Sequence, residues 1–216
     1  MRKTNLSLQP FILLSAFFFF LMFMGCQREI NEPGGSGTGT TGGVDDNIMV
    51  TAGVRGTVID ENNQPVSGAT VTSGAYSTTT NRYGVFSFSN IQLSKANGYV
   101  KVVKPGYFNS VKTFVTTVGR IHNVRIQLLP KTNTGTFDAT TGGTVSLGTG
   151  GKLVMPASAV TDAGGTAYTG MVNVAMVWIN PTAPNLPEIV PGDLRGLTTS
   201  GEERGLETYG MLGVEM

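Results

Sequence analysis

The sequence predicts an all-β protein, with a β-sandwich at residues 48–130 and a second β domain at residues 142–216. Short runs of alternating apolar and polar residues recur along both regions, separated by turns at spacings of roughly 8–12 residues. The chain contains 30 glycines, many of them in these turns. Downstream of the N-terminal segment no run has the apolar period of a helix, so strands are the expected element.

Residues 1–25 have the features of a secretory signal peptide. Two basic residues, Arg2 and Lys3, precede an apolar run from Phe11 to Met24 that only Ser15 interrupts. As a helix this run would reach about 21 Å, which is short of the ~30 Å hydrocarbon core of a bilayer. We therefore expect cleavage after this segment rather than a spanning anchor.

Cys26, the one cysteine of the chain, follows this segment directly. Met24-Gly25-Cys26 resembles a bacterial lipobox, although Phe23 stands where that motif usually has leucine. The resemblance implies a palmitate-bearing lipoprotein of the bacterial cell envelope, held at the outer membrane, on its periplasmic or surface face, through lipidated Cys26. Two or more acyl chains would anchor it stably. The alternative is an uncleaved anchor with Cys26 as an incidental thiol.

Residues 26–47 are predicted to form a flexible tether. From Asn31 to Gly43 the chain consists almost entirely of Gly, Thr and Ser, which have too little apolar surface to fold alone. Without the signal segment the chain carries 13 basic and 14 acidic residues. Because this balance gives no basic patch, we expect no nucleic-acid partner.

The sandwich begins with the strand Val54–Asp60, whose valines alternate with polar residues. The polar run Asp60–Pro65 predicts a turn, because it ends in a residue without an N–H. A second alternating run, with Ala69 and Val71 on one side, comes next and suggests a hairpin-like start.

About seven strands are expected in the sandwich. Phe86 and Phe88 alternate with serines after a turn at Asn81–Gly84, so both should face the core. The last strand places three apolar residues on one face: Val124, Ile126 and Leu128.

Three motifs in this region occur in a recognisable order: Arg55–Val58 with Gln64–Val71, then Thr80–Phe88, then Val102–Tyr107. Together they resemble the carboxypeptidase regulatory-like domain, a transthyretin-like β-sandwich related to immunoglobulin-like sandwiches. Asn81 stands where that family usually has aspartate, which keeps the chemistry of the turn. In this family the module is non-catalytic and is appended to enzymes, transporters and surface proteins. The resemblance therefore implies architecture more than activity.

Residues 131–141 are predicted to be a linker to the second domain. Beyond it, Gly142–Leu147, Leu153–Ala157 and Tyr168–Ile179 resemble the start of a ZU5-type β-sandwich. The last of these runs reads as one long strand with three residues facing one way: Val172, Val174 and Met176. Four prolines between residues 181 and 191 then predict an irregular loop.

The end of the chain, Leu206–Met216, reads as a strand without a closing turn. Only three or four strands are expected in this domain, which would leave unpaired edges and half a core. We therefore expect the second domain to be incomplete within this chain.

No catalytic constellation is recognisable, so we expect a non-enzymatic protein without a cofactor or metal. His122, the one histidine, lies in a predicted strand, and no G-x-S-x-G motif surrounds any serine. Asp60–Gln64 resembles the start of a calcium loop, but Pro65 occupies the EF-hand glycine position, which favours a solvated turn. The carboxylates between residues 193 and 207 are expected in a solvated loop.

The candidate ligand contacts are aromatic. Four tyrosines of the sandwich could form a surface on which sugars stack: Tyr76, Tyr83, Tyr99 and Tyr107. Among them Tyr83 and Tyr107 are the candidate ligand-contact residues. The alternative is that such tyrosines are half-buried structural residues at strand ends.

The favoured hypothesis is a membrane-anchored, non-catalytic module that acts in binding or display at the bacterial cell surface. Its partner would be a glycan, a protein or the envelope itself. Two alternatives stay open: the anchor and spacer of a larger enzyme whose catalytic domain lies beyond Met216, or an accessory lipoprotein of an outer-membrane nutrient transporter.

Overall fold

A computed structural model describes residues 48–148, 150–200 and 202–216. The predicted signal peptide, Cys26 and the whole of the tether lie outside these residues. The part that is described consists of β-strands, turns and a single four-residue helical turn. The predicted all-β class is confirmed.

Seven strands form the sandwich between residues 49 and 127. They are β1 Met49–Ile59, β2 Thr70–Ser73, β3 Tyr76–Thr79, β4 Val85–Ser94, β5 Gly98–Val103, β6 Ser110–Phe114 and β7 Ile121–Gln127. One sheet has the order β4-β1-β7, and the other has the order β3-β2-β5-β6. Strand β1 is antiparallel to β4 and parallel to β7, so β7 ends where β1 ends. Strands β6 and β7 are the edge strands on one side of the sandwich.

The sandwich core contains the residues that alternation predicts to face inward. Val54, Val58, Ala69 and Val71 are fully buried, and the rings of Phe86 and Phe88 meet edge to face with centroids 6.1 Å apart. Ile126 of β7 and Leu128 directly after it are also fully buried, and Val124 is partly buried against this core. Period-two patterning therefore specifies this core.

The predicted hairpin between β1 and the following strand is wrong. β1 forms an isolated bridge from Ile59 to Pro65, which lies before β2, and β2 itself belongs to the opposite sheet. Strand β1 already has a neighbour on each edge, so no edge is left for β2. The Asp60–Pro65 turn instead carries the chain across the sandwich, and Asp60 Oδ1 accepts N–H bonds of 2.8 Å from both Asn62 and Gln64.

Gly84 is required where the turn before β4 passes β1. It has a φ of +70°, and a Cβ there would lie 2.3 Å from the carbonyl oxygen of Val58. The preceding Asn81 fixes the same turn, because its side-chain oxygen accepts the N–H groups of Tyr83 and Val85 at 2.9 and 3.0 Å. Asparagine thus makes the bonds expected of aspartate at this position.

The second region also consists of small sheets. Its strands are β8 Asn133–Asp138, β9 Gly143–Ser146, β10 Lys152–Met155, β11 Met171–Ile179, β12 Arg195–Leu197, β13 Glu203–Gly205 and β14 Met211–Glu215, and the helical turn α1 is Leu186–Ile189. One sheet has the order β14-β11-β8, while β9-β10 and β12-β13 are separate two-stranded ribbons.

Residues predicted to be linker and loop are partly ordered elements. Strand β8 lies inside the predicted linker 131–141 and pairs with β11, because Phe137 packs into the second core and is only 3% exposed. The proline-rich loop contains α1, where proline is tolerated because a first helical turn needs no N–H.

The second core lies on one face of β11. Val172, Val174 and Met176 are buried there together, as the alternation predicts. The predicted terminal strand is β14, which pairs antiparallel with β11. The finer resemblance of this region to a ZU5-type sandwich stays a prediction.

Candidate functional site

The main contact between the two regions is made by residues 185–192, here called the covering segment. It contains α1 and packs against the edge strands β6 and β7 of the sandwich. Gly192 donates its N–H to the carbonyl of Val111 at 2.9 Å, and so engages the edge of β6. Because an open sheet edge invites pairing with other chains, this contact also protects the edge.

Lys112 is the polar centre of this contact. Its position on β6 pairs with the buried Val100 of β5, so its side chain shares the inner face of that sheet. Only 6% of Lys112 is exposed. Its ammonium donates to the carbonyl oxygens of Pro187, at 2.8 Å, and of Val190, both in the covering segment. The lysine therefore binds backbone that is unpaired at the end of α1.

Burial lowers the pKa of Lys112 to about 8. Desolvation disfavours the ammonium form, whereas the nearby carboxylates of Glu188 and Asp193 oppose the shift. Glu188 is itself paired with Arg125 of β7, with 3.1 Å between carboxylate and guanidinium. The ammonium charge of Lys112 is therefore stabilised by backbone carbonyl groups and carboxylates of the second region.

Gln127 makes a second buried polar contact at this side. Its side-chain oxygen accepts the amide of Asn185 at 2.6 Å, and its own amide donates to the carbonyl of Asp60 at 3.0 Å. Ile189 and Val190 supply the buried apolar contact beside it. The donor group of Gln127 is satisfied within the sandwich, whereas its acceptor oxygen is satisfied by the covering segment.

Glu215 of β14 links the second region to the chain directly before β6 and directly after the sandwich. Its carboxylate accepts the N–H of Asn109 at 2.8 Å and pairs with the ammonium of Lys131 at 2.9 Å. Partial burial alone would raise the pKa of Glu215, but these two partners hold it below its ordinary value. The contact therefore favours the charged carboxylate.

A cleft of about 470 Å³ lies between the β4–β5 turn and the β12–β13 ribbon. Arg195 crosses it: the guanidinium pairs with Asp193 and with Glu203, the latter at 3.2 Å, and donates to the carbonyl of Ala96 at 3.4 Å. Because the guanidinium is engaged in these bonds, Arg195 connects the β12–β13 ribbon to the sandwich.

Tyr83 lies in the turn before β4 and is 60% exposed. The guanidinium of Arg82 lies over its ring, 4.5 Å from the centroid. This gives an exposed aromatic side chain with a cation over its ring, next to Gly84, where an added Cβ would lie 3.3 Å from the Cα of Pro65. It is suited to contact a partner.

Tyr107 is different, because it is partly buried and packs against the sandwich core. Burial raises the pKa of its phenol, and the carboxylates of Glu61 and Asp60 raise it further. Both chosen tyrosines therefore flank the Asp60–Pro65 turn, but only Tyr83 presents most of its side chain to solvent. Whether either contacts a ligand stays a prediction.

The other sequence candidates have structural partners. His122 lies in β7, stacks on Phe114 with centroids 4.8 Å apart, and accepts the N–H of Thr117. Within residues 48–148, 150–200 and 202–216, no three His, Cys, Asp or Glu side chains are grouped to bind a metal. Among those same residues, no helix is long and apolar enough to cross a bilayer. Cys26 lies outside them.

Sequence reasoning missed Lys112 and Gln127. Each lies in a strand that mixes polar and apolar residues, and in such a strand a charged or amide side chain is expected to face water. No local signal marks them as buried, because their partners are contributed by the covering segment.

Comparison with known proteins identifies the first domain. Residues 53–129 match the carboxypeptidase regulatory-like domain. A relative with 35% identity over 66 residues is human cartilage intermediate layer protein 2; the match covers 31% of this chain and 6% of that protein. The chain thus spans only a small part of that relative's length.

Two solved structures with local similarity come from bacterial proteins. A Bacteroides fragilis protein of unknown function, for which membrane association has been proposed, is 19% identical over 38% of this chain and 28% of its own, with a TM-score of 0.31. The Bacillus anthracis TIE protein is 13% identical over 73% of this chain and 31% of its own, with a TM-score of 0.31.

The motif order, the strand topology and the family match agree on the same residues. Residues 53–129 therefore form a carboxypeptidase regulatory-like β-sandwich domain, with further β sheets after it in this chain.

Proposed function

We propose that this chain is a non-catalytic module of a lipid-anchored bacterial envelope protein. In it, the carboxypeptidase regulatory-like domain serves as a scaffold that holds the second β region in a fixed position. Cys26 carries the acyl chains, and residues 26–47 tether the scaffold to the membrane.

The covering segment is the observation that carries this proposal. A sandwich that buries Lys112 and Gln127 against another region is adapted to hold that region. The ties through Glu215 and Arg195 act at two further places along the sandwich. Such distributed contacts favour a rigid support over a freely jointed chain of domains.

The two ends of the sandwich favour display away from a membrane. The tether leads to Met49, where β1 pairs with the last residue of β4, Ser94. Tyr83 and the Asp60–Pro65 turn lie at the other end of β1, about 36 Å away for eleven strand residues. We expect a surface partner, glycan or protein, to contact this distal end.

The anchor is tested by the variant Cys26→Ser, expressed in a diderm bacterium. Wild-type protein should fractionate with membranes and have an intact mass increased by acyl chains. The variant should lose both properties. As a matched control, Cys26→Ser combined with Ser36→Cys keeps one thiol but moves it out of the motif, and it should behave like the single variant. Membrane association of both variants would contradict anchoring through Cys26.

The distal contact is tested on a glycan array with wild-type protein and Tyr83→Ala. Binding that depends on Tyr83 would support a glycan partner at this end. Binding that survives the substitution would contradict a contact through Tyr83. Tyr76→Ala is a suitable control, because Tyr76 is also an exposed sandwich tyrosine but lies on β3.

A further inference from the structure

The sandwich has an exposed apolar patch at the end where the predicted tether joins it. Six large non-aromatic apolar side chains are exposed among residues 48–130, and five of them lie at this end. These five, here called the proximal patch, are between 46% and 66% exposed: Ile48, Met49, Val115, Val118 and Ile121. Single exposed apolar residues are ordinary, but a cluster of them indicates a contact surface.

Main-chain hydrogen bonds join the start of β1 to the loop between β6 and β7. Lys95, directly after β4, donates its N–H to the carbonyl of Ile48 at 2.8 Å. The carbonyl of Lys95 in turn accepts the N–H of Thr116 at 2.8 Å. Val115 and Ile48 therefore belong to segments that the same residue holds together.

The other side of this loop is bound to β1 directly. Gly119, next to Val118, donates its N–H to the carbonyl of Thr51 at 2.9 Å. Ile121 lies against β1, because a Cβ added at Gly53 would lie 3.2 Å from the Cγ1 of Ile121. The segments of the proximal patch thus form one end of the sandwich.

Two basic side chains accompany the patch. Lys95 and Arg120 are exposed, and neither forms an ion pair with another residue that the structure describes. Such side chains can place their charge beside lipid phosphates while their stems lie against apolar surface. Asp45 and Asp46 precede Ile48 closely in the sequence and oppose this charge, so apolar contact has to provide most of the affinity.

The position of the predicted tether indicates what the patch contacts. Residues 27–47 separate Cys26 from Ile48. A flexible segment of this length has a root-mean-square span of about 25 Å. In a chain anchored through Cys26, the bilayer surface would thus be available to the patch at an effective concentration on the order of millimolar. Because Ile48 is itself part of the patch, this is the part of the sandwich that the anchor keeps nearest to lipid.

We propose that the proximal patch docks on the lipid bilayer, an inference that rests on the proposed anchoring through Cys26. The apolar side chains of the patch enter the boundary between headgroups and acyl chains, and Lys95 and Arg120 lie at the level of the phosphates. Docking at this end directs β1 away from the membrane. It therefore gives the distal turn that carries Tyr83 a fixed orientation, which a tether alone does not provide.

The test attaches the chain to vesicles by chemical coupling. Residues 26–216 are coupled through Cys26, the one thiol, to a maleimide lipid in vesicles of phosphatidylethanolamine and phosphatidylglycerol, and the reference is the same chain coupled to a soluble maleimide. Hydrogen exchange is measured on both. We expect exchange at the amides of residues 115–121 to be about tenfold slower on the vesicles, as for a docked state about ten times more populated than the free one. Exchange in the distal turn Asn81–Gly84 should not change.

Val118→Asp and Ile121→Asp should each remove most of this slowing, because a carboxylate resists transfer from water to an apolar boundary. Both positions are exposed, so the variants should fold. Val103→Asp is the matched control. Val103 is the sixth exposed residue of this kind in the sandwich but lies at the opposite end of β5 from Lys95, so the slowing should remain.

The proposal is overturned if the vesicles do not slow exchange in residues 115–121. It is also overturned if Val118→Asp and Ile121→Asp keep the slowing, or if Val103→Asp removes it equally. Slowing that appears in the soluble reference as its concentration rises would assign the patch to a second copy of the chain, against the proposal. Because the coupling is chemical, none of these outcomes depends on whether a bacterium acylates Cys26, which the Cys26→Ser variant tests separately.

Discussion

At the scale of single residues, exposure separates the two chosen tyrosines. Tyr83 stands in a turn and meets solvent, whereas Tyr107 packs on the core beside an isolated bridge to Pro130. A residue of the first kind is available for recognition, and one of the second kind contributes mainly to stability.

Tyr83→Ala should therefore change the free energy of unfolding by less than about 0.5 kcal/mol. Tyr107→Ala should lower it by about 1–3 kcal/mol, because the truncation removes packed apolar surface. Urea denaturation followed by circular dichroism measures both. Equal losses for the two variants would contradict the difference in packing.

Lys112 should give the protein an unusual dependence on alkaline pH. The folded state loses this proton near pH 8, whereas the unfolded chain keeps it to about pH 10.4. Between these values the unfolded state binds more protons, so stability due to this group rises with pH, by at most about 3 kcal/mol. Below pH 8 the folded state bears the full cost of burying the charge.

Denaturation between pH 7 and pH 10 checks this expectation, with pH values chosen on either side of the pKa of about 8. Lys112→Met should lack the rise, although it leaves the carbonyls of Pro187 and Val190 without a donor. Lys101→Met, on the exposed face of the neighbouring strand, should keep the wild-type profile. Identical profiles for the wild type and Lys112→Met would show that the lysine does not titrate in this way.

At the scale of elements, the covering segment behaves as part of the sandwich although it lies far from it in sequence. Its four-residue helical turn is too short to be stable by itself. Tertiary contacts must therefore hold it in place. Its main-chain carbonyls accept hydrogen bonds from the Lys112 ammonium, and the side chains of Ile189 and Val190 are buried.

Val190→Asp should destabilise the sandwich by about 2–4 kcal/mol, because it places a carboxylate in a buried apolar position. Leu197→Asp is the control, since Leu197 is exposed on the β12–β13 ribbon and should have almost no effect. Hydrogen exchange at the amides of β6 and β7 reports the change locally. Unchanged protection in Val190→Asp would mean that the segment does not support these strands.

At the scale of the whole molecule, the family domain depends on the second β region. Its edge strands bury polar groups whose partners come from residues 185–192. We therefore expect the two regions to be coupled in stability, as the proposed function requires.

A fragment of residues 48–131 should be less stable than residues 48–216 by about 2–5 kcal/mol, because it loses the apolar contacts of Ile189 and Val190 and regains hydration only in part. Chemical denaturation of both proteins, followed by the circular dichroism of the sandwich, makes the comparison. Equal unfolding free energies would show that the two regions fold separately.

Much of the first domain could be predicted from the sequence. Alternation located its strands and its core, since Val54, Val58, Phe86 and Phe88 face inward as expected. The pairing of β1 could not be predicted, because alternation says which face a residue occupies but not which strand lies beside it. Strand β8 was hidden for a related reason: its Thr- and Gly-rich sequence resembles a linker until Phe137 meets the second core.

The sequence by itself determined the all-β class, the family of residues 53–129 and the exposed turn that carries Tyr83. These features depend on local patterning and turn chemistry, which neighbouring residues specify. Only the tertiary structure decided that Lys112, Ser110 and Gln127 are buried. Lys112 and its partner Pro187 are 75 residues apart. A polar residue in a strand gives the same sequence pattern whether water or a distant segment supplies its hydrogen-bond partners. Which of the two supplies them is decided only when the chain folds.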